Sequence, residues 1–449
     1  MILKAFMNFM SRRTIFAPVR NKIINKYTSD EYVKGIREEA ETERKEESKS
    51  HIVVYFHKVD DPYSALTIEY VDKIASVFNI VIKPVLVGEE NPETVHEPSL
   101  YSEYCLTDVN RIAEYYGVSF SSKNYPEKSL VDIANSILAA VDESEFISTA
   151  RLVSKALWNN EKKALEELSI KFTADHDLVI KKLNQGNTIR NEKGYYFGSA
   201  FYYGKELYWG VDRIHYLEAR LNELGLRKGS TNDPICIPNL KAPEKFECED
   251  RVNFYYYPSL NSPYTFVSAK GVKELSDNYP INLITKPVLP MLMRKMTIPS
   301  HKVKYILSDA AREGVKKKNP IGNVYSPIGK PAKKAYSIFP IIDEAGKGFE
   351  YINELLQASF YEGINIGDDG YLKAIVEKLG LDWNIISKKL GTNDWKKVLD
   401  HNLKDMYSGN CWGVPSFKIT DSNDENPFYV WGQDRMWLLK EEIFKRMKS

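Results

Sequence analysis

Three short segments in the second half of the chain carry residues that could bind and activate a thiol. The first is Asn261-Ser262-Pro263-Tyr264-Thr265, which follows an apolar strand-like run and opens a helical pattern. Serine is a favoured N-cap and proline a favoured first helical residue, so capping alone would explain this pair. A hydroxyl at a helix N-terminus also lies in a positive field, where it can donate to a thiolate and lower the pKa of that thiol.

The second segment is Gly413-Val414-Pro415, directly before a strand pattern. A Val-Pro bond at this place is a candidate cis peptide bond. In that form the backbone N–H and C=O of Val414 would face outward and could pair with an extended peptide as an added strand. The alternative is a trans proline at the first residue of the strand.

The third segment, Trp431-Gly432-Gln433-Asp434-Arg435, lies at the start of the last helical pattern. Gln433 and Asp434 could hold an amino-acid head group, because a helix N-terminus attracts a carboxylate and an aspartate attracts an ammonium. The alternative is local, with Asp434 capping the helix and Arg435 pairing nearby.

These segments belong to the second of two repeated halves. IVVYFHKVDDPYSAL at 52–66 corresponds to VNFYYYPSLNSPYTFV at 252–267, and YWGVDRIHYL at 208–217 corresponds to VWGQDRMWLL at 430–439. KPVL and an Asp-x-x-Arg motif recur between them in the same order, which indicates tandem homologous domains. The spacing grows from 201 to 222 residues, so we expect about 21 additional residues in the second half, around 319–334.

Both halves read as strand, helix, strand, a long helical region, a strand pair and a final helix. This order predicts an α/β fold with a helical insertion in each domain. We expect a charged N-terminal extension at 1–50, a first domain at 51–225, a linker at 226–250 and a second domain at 251–449.

The first half departs from the second at two of these positions. Asp61 stands where the second half has Ser262, and a carboxylate there would repel a thiolate. Ser199 stands where the second half has Pro415, so we expect a trans bond. The first domain is predicted to be a degenerate half that packs against, shapes or regulates the other, or that binds a different ligand.

Composition excludes several classes of protein. The net charge of +1 gives no overall attraction to nucleic acid, and the apolar runs are too short for an integral membrane segment. Four scattered cysteines form no C-x-x-C motif, which argues against a metal site or a dithiol and for a reducing compartment. We therefore expect no nucleic-acid partner, no metal and a cytoplasmic protein.

The first 29 residues contain basic side chains and no acid. We expect a solvated, partly helical extension. The alternatives are a mitochondrial transit peptide, which would place the protein in the mitochondrial matrix, or an arm lying on anionic lipid. The six basic residues are Lys4, Arg12, Arg13, Arg20, Lys22 and Lys26.

Taken together, Ser262-Pro263-Tyr264, Gly413-Val414-Pro415 and Gly432-Gln433-Asp434-Arg435 resemble the DsbA-like class of thioredoxin-fold proteins. Within it they are similar to kappa-class glutathione transferases and 2-hydroxychromene-2-carboxylate isomerases, and the tandem arrangement resembles two-domain bacterial members. The resemblance implies two thioredoxin-like domains, each with a helical insertion, and glutathione as the cofactor.

The resemblance also assigns roles to residues of the second domain. Ser262 would contact the glutathione sulfur, and Val414, before a cis Pro415, would bind the cysteinyl backbone. Gln433 and Asp434 would hold the γ-glutamyl end. Lys302, three residues before a tyrosine, would bind the glycyl carboxylate.

The resulting hypothesis is a glutathione-dependent enzyme that adds the thiolate to a small apolar electrophile, as a transferase or an isomerase, with a homodimer left open. A disulfide oxidoreductase is the first alternative, although the missing C-x-x-C leaves it without dithiol chemistry. A non-catalytic scaffold that binds glutathione or a peptide is the second.

Overall fold

The computed structural model describes residues 16–90, 92–296 and 298–448. Two helices come first, α1 (Ala17–Thr28) and α2 (Asp30–Glu46). The chain divides into two compact units. One spans Lys34–Leu240, and the other combines the described residues up to Val33 with those from Lys241 onward. We call them the first and the second domain.

The first domain is built on a four-stranded mixed sheet. Its strands are β1 (Ile52–His57), β2 (Val81–Leu86), β3 (Ala200–Tyr203) and β4 (Glu206–Trp209), in the order β2-β1-β3-β4. β1 is parallel to β2 and antiparallel to β3, and β3 and β4 form an antiparallel hairpin. The helices are α3 (Pro62–Val77), α4 (Pro98–Ile112), α5 (Lys128–Ala140), α6 (Glu143–Trp158), α7 (Lys162–Lys171), α8 (His176–Glu192) and α9 (Ile214–Glu223).

The second domain has the same sheet. Its strands are β5 (Val252–Tyr257), β6 (Ile281–Thr285), β7 (Ser416–Thr420) and β8 (Phe428–Trp431), in the order β6-β5-β7-β8. The pairings repeat those of the first sheet. The helices are α10 (Pro263–Asn278), α11 (Ser300–Lys316), α12 (Lys330–Glu344), α13 (Gly348–Phe360), α14 (Asp369–Lys378), α15 (Trp383–Ile386), α16 (Asp394–Tyr407) and α17 (Met436–Lys448).

Equivalent hydrogen bonds show which residues of the two domains correspond. The Tyr63 hydroxyl donates to the Asp108 carboxylate over 2.7 Å, and the Tyr264 hydroxyl donates to the Asp309 carboxylate over the same distance. Both pairs join the helix after the first strand to the helix after the second. The predicted α/β class, with two thioredoxin-like domains that each carry a helical insertion, is confirmed.

The helical insertion of the second domain, which lies between β6 and β7 in the chain, shares one apolar core with α10. Tyr336 on α12, Leu355 on α13 and Trp395 on α16 are buried there. The Tyr336 hydroxyl donates to the Val288 carbonyl over 3.1 Å, so this lobe is tied to the chain just after β6. Part of the extra length of the second domain lies elsewhere than 319–334, because 421–427 link β7 to β8 where 204–205 link β3 to β4.

Helix α1 packs against the rest of the second domain, whereas the sequence predicted a solvated extension. The Asn21 side-chain carbonyl accepts from the Ser326 backbone N–H over 2.9 Å, and the Asn25 side-chain carbonyl accepts from the Val324 N–H over 2.8 Å. Ile24 lies beside the core of the helical lobe. The two asparagines are four residues apart, so they lie on one face of the helix.

The proposed transit peptide falls partly outside the described residues, including Lys4, Arg12 and Arg13. Within the part of the chain that the structure describes, no helix is long and apolar enough to cross a membrane.

Candidate functional site

Ser262 begins α10 and contacts the segment that precedes β7. Its side-chain oxygen accepts from the Thr265 backbone N–H over 3.2 Å, which is an N-cap, and Pro263 is the first helical residue. The same hydroxyl donates to the Val414 carbonyl over 3.3 Å. Ser262 is 9% exposed. It caps α10 and also joins this helix to the loop before β7, which lies 152 residues further along the chain.

The loop before β7 is held close to the start of the last helix. The Val414–Pro415 peptide bond is cis. The Pro415 carbonyl accepts from the Gly432 N–H over 2.9 Å. A Cβ at Gly413 would lie 2.3 Å from the indole nitrogen of Trp431, so this position has room only for glycine. Close contacts therefore hold the backbone on both sides of Val414, the predicted peptide-binding residue.

Gln433 and Asp434 lie together, in a short 3₁₀ helix (Gln433–Arg435) before α17. Gln433 is buried, and its side-chain nitrogen donates to the Glu313 carboxylate over 2.8 Å and also to the Asp434 carboxylate. The Lys317 ammonium lies 3.3 Å from the Glu313 carboxylate and donates to the Gln433 carbonyl over 3.1 Å. The turn is thus anchored to the end of α11.

Sequence reasoning missed Glu313 and Lys317. Their spacing of four residues resembles an ordinary surface pair, and nothing in the helical pattern reveals that Glu313 is buried. The repeat does contain a signal, because Glu313 corresponds to the apolar Ile112 at the offset of 201 residues.

Lys302 is the third residue of α11. Burial lowers the pKa of its ammonium to about 8. The equivalent residue of the first domain is Tyr101, whose ring stacks on Phe197, with ring centroids 5.2 Å apart, at the first residue of the loop that corresponds to 413–415. Lys302 thus stands at a helix position whose counterpart in the first domain contacts that loop. Glu313 lies eleven residues further along the helix, a rise of about 16 Å.

The corresponding position of the first domain holds a carboxylate in place of the serine hydroxyl. Asp61 caps α3 by accepting from the Tyr63 and Ser64 N–H groups and from the Ser64 hydroxyl. Burial raises the pKa of its carboxyl to about 6. A Cβ at Gly198 would lie 2.8 Å from Lys58 Cβ and 3.0 Å from the Asp61 carboxylate. The loop backbone at Gly198 therefore packs directly against the N-terminus of α3.

The chain lacks a C-x-x-C motif at the candidate site. Positions 262 and 265, where a C-x-x-C motif would open the helix, hold serine and threonine. The four cysteines are free, and Cys411 is buried, with its sulfur 3.4 Å from the Gly409 carbonyl. Among the described residues, no group of three His, Cys, Asp or Glu side chains could hold a metal ion.

Comparison with known proteins agrees with this fold. Residues 251–444 match the family model of the DSBA-like thioredoxin domain, and the second domain is a DsbA-like thioredoxin domain. A Bacillus subtilis (strain 168) protein described as uncharacterized protein YwbO is 35% identical over 89 residues, which are 20% of this chain and 44% of that protein. The matched region thus spans less than half of this curated relative.

Solved structures similar to the chain include a 2-hydroxychromene-2-carboxylate isomerase, 18% identical with a TM-score of 0.37, covering 44% of this chain and 96% of that chain. Another is the cytosolic disulfide reductase DsbM from Pseudomonas aeruginosa, 14% identical with a TM-score of 0.35, covering 43% of this chain and 99% of that one.

Proposed function

We propose that the second domain binds glutathione and holds its thiol as a thiolate for addition to a small apolar electrophile. The reaction would be a transfer or an isomerisation of the 2-hydroxychromene-2-carboxylate type. The observation that carries this proposal is the Ser262 hydroxyl, which lies at the N-terminus of α10 and contacts the Val414 carbonyl.

The ligand must supply the thiol, because positions 262 and 265 carry hydroxyl groups. On binding, the Ser262 hydroxyl would turn from the Val414 carbonyl to the sulfur. One donor and the field of the helix N-terminus favour the thiolate over the thiol. The thiol proton leaves to solvent. The sulfur forms a bond to the electrophilic carbon as a π bond of the electrophile opens to an enolate. In a transfer the enolate takes up a proton, or a leaving group departs with its electron pair, and the thioether is the product. In an isomerisation the enolate re-forms the double bond after rotation and expels the sulfur as thiolate.

The length of α11 suits an extended tripeptide. Lys302 near its start and the Gln433-Asp434 turn held at its end are separated by about 16 Å along the helix. Three extended residues span about 10 Å, and the side chains at both ends supply the remaining reach. A glycyl carboxylate beside Lys302 would also raise the lowered pKa of that ammonium.

Calorimetric titration of the full chain with glutathione and with S-methylglutathione tests the binding step. At a pH above the pKa of the bound thiol, we expect glutathione to bind more tightly than S-methylglutathione. Methylation removes the anionic sulfur that Ser262 would stabilise. Equal affinity for the two ligands would remove the proposed role of the thiolate. Absence of heat with either ligand at millimolar concentration would refute the glutathione site.

A scaffold that binds glutathione without catalysis is the second candidate. The first domain favours it, because that domain keeps the fold although Asp61 stands in place of the serine. The two candidate functions differ in their effect on the rate of thioether formation. An enzyme accelerates thioether formation between glutathione and 1-chloro-2,4-dinitrobenzene in proportion to its concentration, whereas a scaffold binds glutathione and leaves the rate unchanged.

A further inference from the structure

A buried polar cluster joins the end of α11 to the turn before α17. Glu313 and Gln433 are 3% and 1% exposed, and the glutamate carboxylate accepts from the Gln433 amide over 2.8 Å. Both immediate neighbours of that amide nitrogen, Glu313 and Asp434, are carboxylates. Since carboxylates only accept hydrogen bonds, the NH₂ group must face them, and the orientation of the amide is fixed.

The fold does not require this cluster. In the first domain, Ile112 stands at the position of Glu313 and Val211 at the position of Gln433, and both are buried. Equivalent hydrogen bonds support this match of positions. The Gly432 N–H donates to the Pro415 carbonyl over 2.9 Å, and the Gly210 N–H donates to the Ser199 carbonyl over 2.7 Å. The same architecture thus forms with two apolar side chains in this place.

A buried carboxylate is costly to desolvate, even when an ion pair such as Lys317–Glu313 offsets part of the cost. Apolar replacements of buried ion pairs are often neutral or stabilising. The polar cluster of the second domain is therefore better explained by a ligand than by stability.

We propose that Glu313 is a positioning residue that, through the Gln433 amide, holds the Asp434 carboxylate where it binds the α-ammonium of the γ-glutamyl group. This inference rests on the proposed function and extends it to specificity. The amide bridges the two carboxylates, so it links the orientation of Asp434 to helix α11. The site then prefers peptides with a free α-amino group over otherwise identical peptides without one.

The test compares two ligands, glutathione and its desamino analogue N-glutaryl-cysteinylglycine, by calorimetry on the full chain. We expect the wild type to bind glutathione at least about tenfold more tightly, which is the effect of one hydrogen bond between charged groups. Glu313→Ile, Gln433→Val and the double variant, which copy the first domain, should each lose most of this ratio. Their affinity for the desamino analogue should change by less than about threefold.

The double variant isolates the mechanism. If Glu313 acts through Gln433, the second substitution adds no further loss to the first, so the two effects are not additive. Glu274→Ile, at an exposed glutamate of α10, is the matched control and should keep the wild-type ratio. Should Glu313→Ile fail to fold, Glu313→Gln replaces it and is expected to lower the ratio through loss of the charge.

An unchanged ratio in the Glu313 variants, or additive losses in the double variant, would overturn the positioning role while leaving glutathione binding intact. If the wild type binds neither ligand, the proposed function fails as well, and this role fails with it.

Discussion

The Ser262 hydroxyl donates to the Val414 carbonyl over 3.3 Å while its oxygen accepts from the Thr265 N–H. One side chain thus serves both the cap of α10 and the loop before β7. A bound thiolate would have to compete with the Val414 carbonyl for the hydroxyl proton. The charge of the thiolate favours it, because hydrogen bonds to charged groups are stronger than neutral ones.

Substitution of Ser262 by alanine should raise the pKa of glutathione bound to the protein. The thiolate loses one donor, which costs about 1.5–3 kcal/mol, whereas affinity for the neutral thiol changes less. Ultraviolet absorbance of the thiolate, followed against pH with saturating glutathione, measures this pKa. The loss of the cap should also lower the free energy of unfolding by about 1 kcal/mol.

Ser268→Ala is the matched control, because this buried serine lies on the same helix and donates to the Thr265 carbonyl. We expect it to leave the pKa of the bound thiol unchanged. If Ser262→Ala gives the same thiol pKa as the wild type, Ser262 is a helix cap and nothing more.

Asp61 should make the first domain less stable as the pH rises. Burial raises the pKa of its carboxyl to about 6, above the value near 4 of an unfolded chain. Between these values the folded state binds more protons, so stability falls from about pH 4 to pH 6 and then levels off. Asp61→Asn keeps an acceptor for the helix cap and removes the ionisation. It should stabilise the domain by about 2 kcal/mol at pH 7 and have little effect at pH 4.

Hydrogen exchange of the β1 amides at pH 4 and pH 7, with rates corrected for intrinsic pH dependence, measures this effect for the first domain alone. Asp60→Asn changes the neighbouring carboxylate, whose side chain is 34% exposed, and should alter protection by less than about 0.5 kcal/mol at either pH. If Asp61→Asn changed the stability by the same amount at both pH values, the expected ionisation of Asp61 would be contradicted.

The sequence predicts the parts of the fold that depend on local pattern and repetition. The cap at Ser262 follows from a serine before a proline, and the shared sheet follows from the ordered repeat. Burial of a charged residue is different, because it depends on which helix face meets which turn. Glu313 meets Gln433 across 120 residues, and no local pattern encodes that contact.

The docking of the N-terminal helix is a second feature that the sequence does not predict. Its basic composition favoured a solvated segment, and the asparagines that dock it are common on exposed helices. Asn21 and Asn25 instead satisfy backbone N–H groups of the irregular segment between α11 and α12. Only the tertiary structure reveals that these two N–H groups find their acceptors on a helix 299 and 305 residues earlier in the chain.

Asn25→Ala should therefore weaken the docking of α1. The N–H of buried Val324 loses its acceptor, which costs about 1–3 kcal/mol. We expect faster hydrogen exchange at Val324 and along α1, and little change in the sheet of the second domain. Asn79→Ala, in the first domain, is a control that should leave Val324 protected. Unchanged protection of Val324 in Asn25→Ala would mean that the helix does not depend on this contact.

A polar network beneath the second sheet gives the last prediction. The Asp405 carboxylate accepts from the Lys286 and Lys418 ammonium groups over 2.8 and 2.9 Å, and from the Tyr257 and Tyr429 hydroxyls over 2.7 and 3.0 Å. Burial alone would raise the pKa of this carboxyl, but the hydrogen bonds from the lysines and Tyr257 outweigh it and hold the pKa well below its usual range. The network joins α16 to the sheet.

Asp405→Asn should lower the free energy of unfolding by about 3 kcal/mol at pH 7, because two largely buried ammonium groups lose their counter-charge. A carboxyl with a lowered pKa stabilises the fold above the unfolded value near 4 and loses this effect as the pH falls. The difference between wild type and variant in urea unfolding should therefore shrink below about pH 4. Asp400→Asn, which breaks an exposed pair with Lys404 on the same helix, should cost less than about 0.5 kcal/mol throughout. A difference independent of pH would show that Asp405 acts through packing and not through its charge.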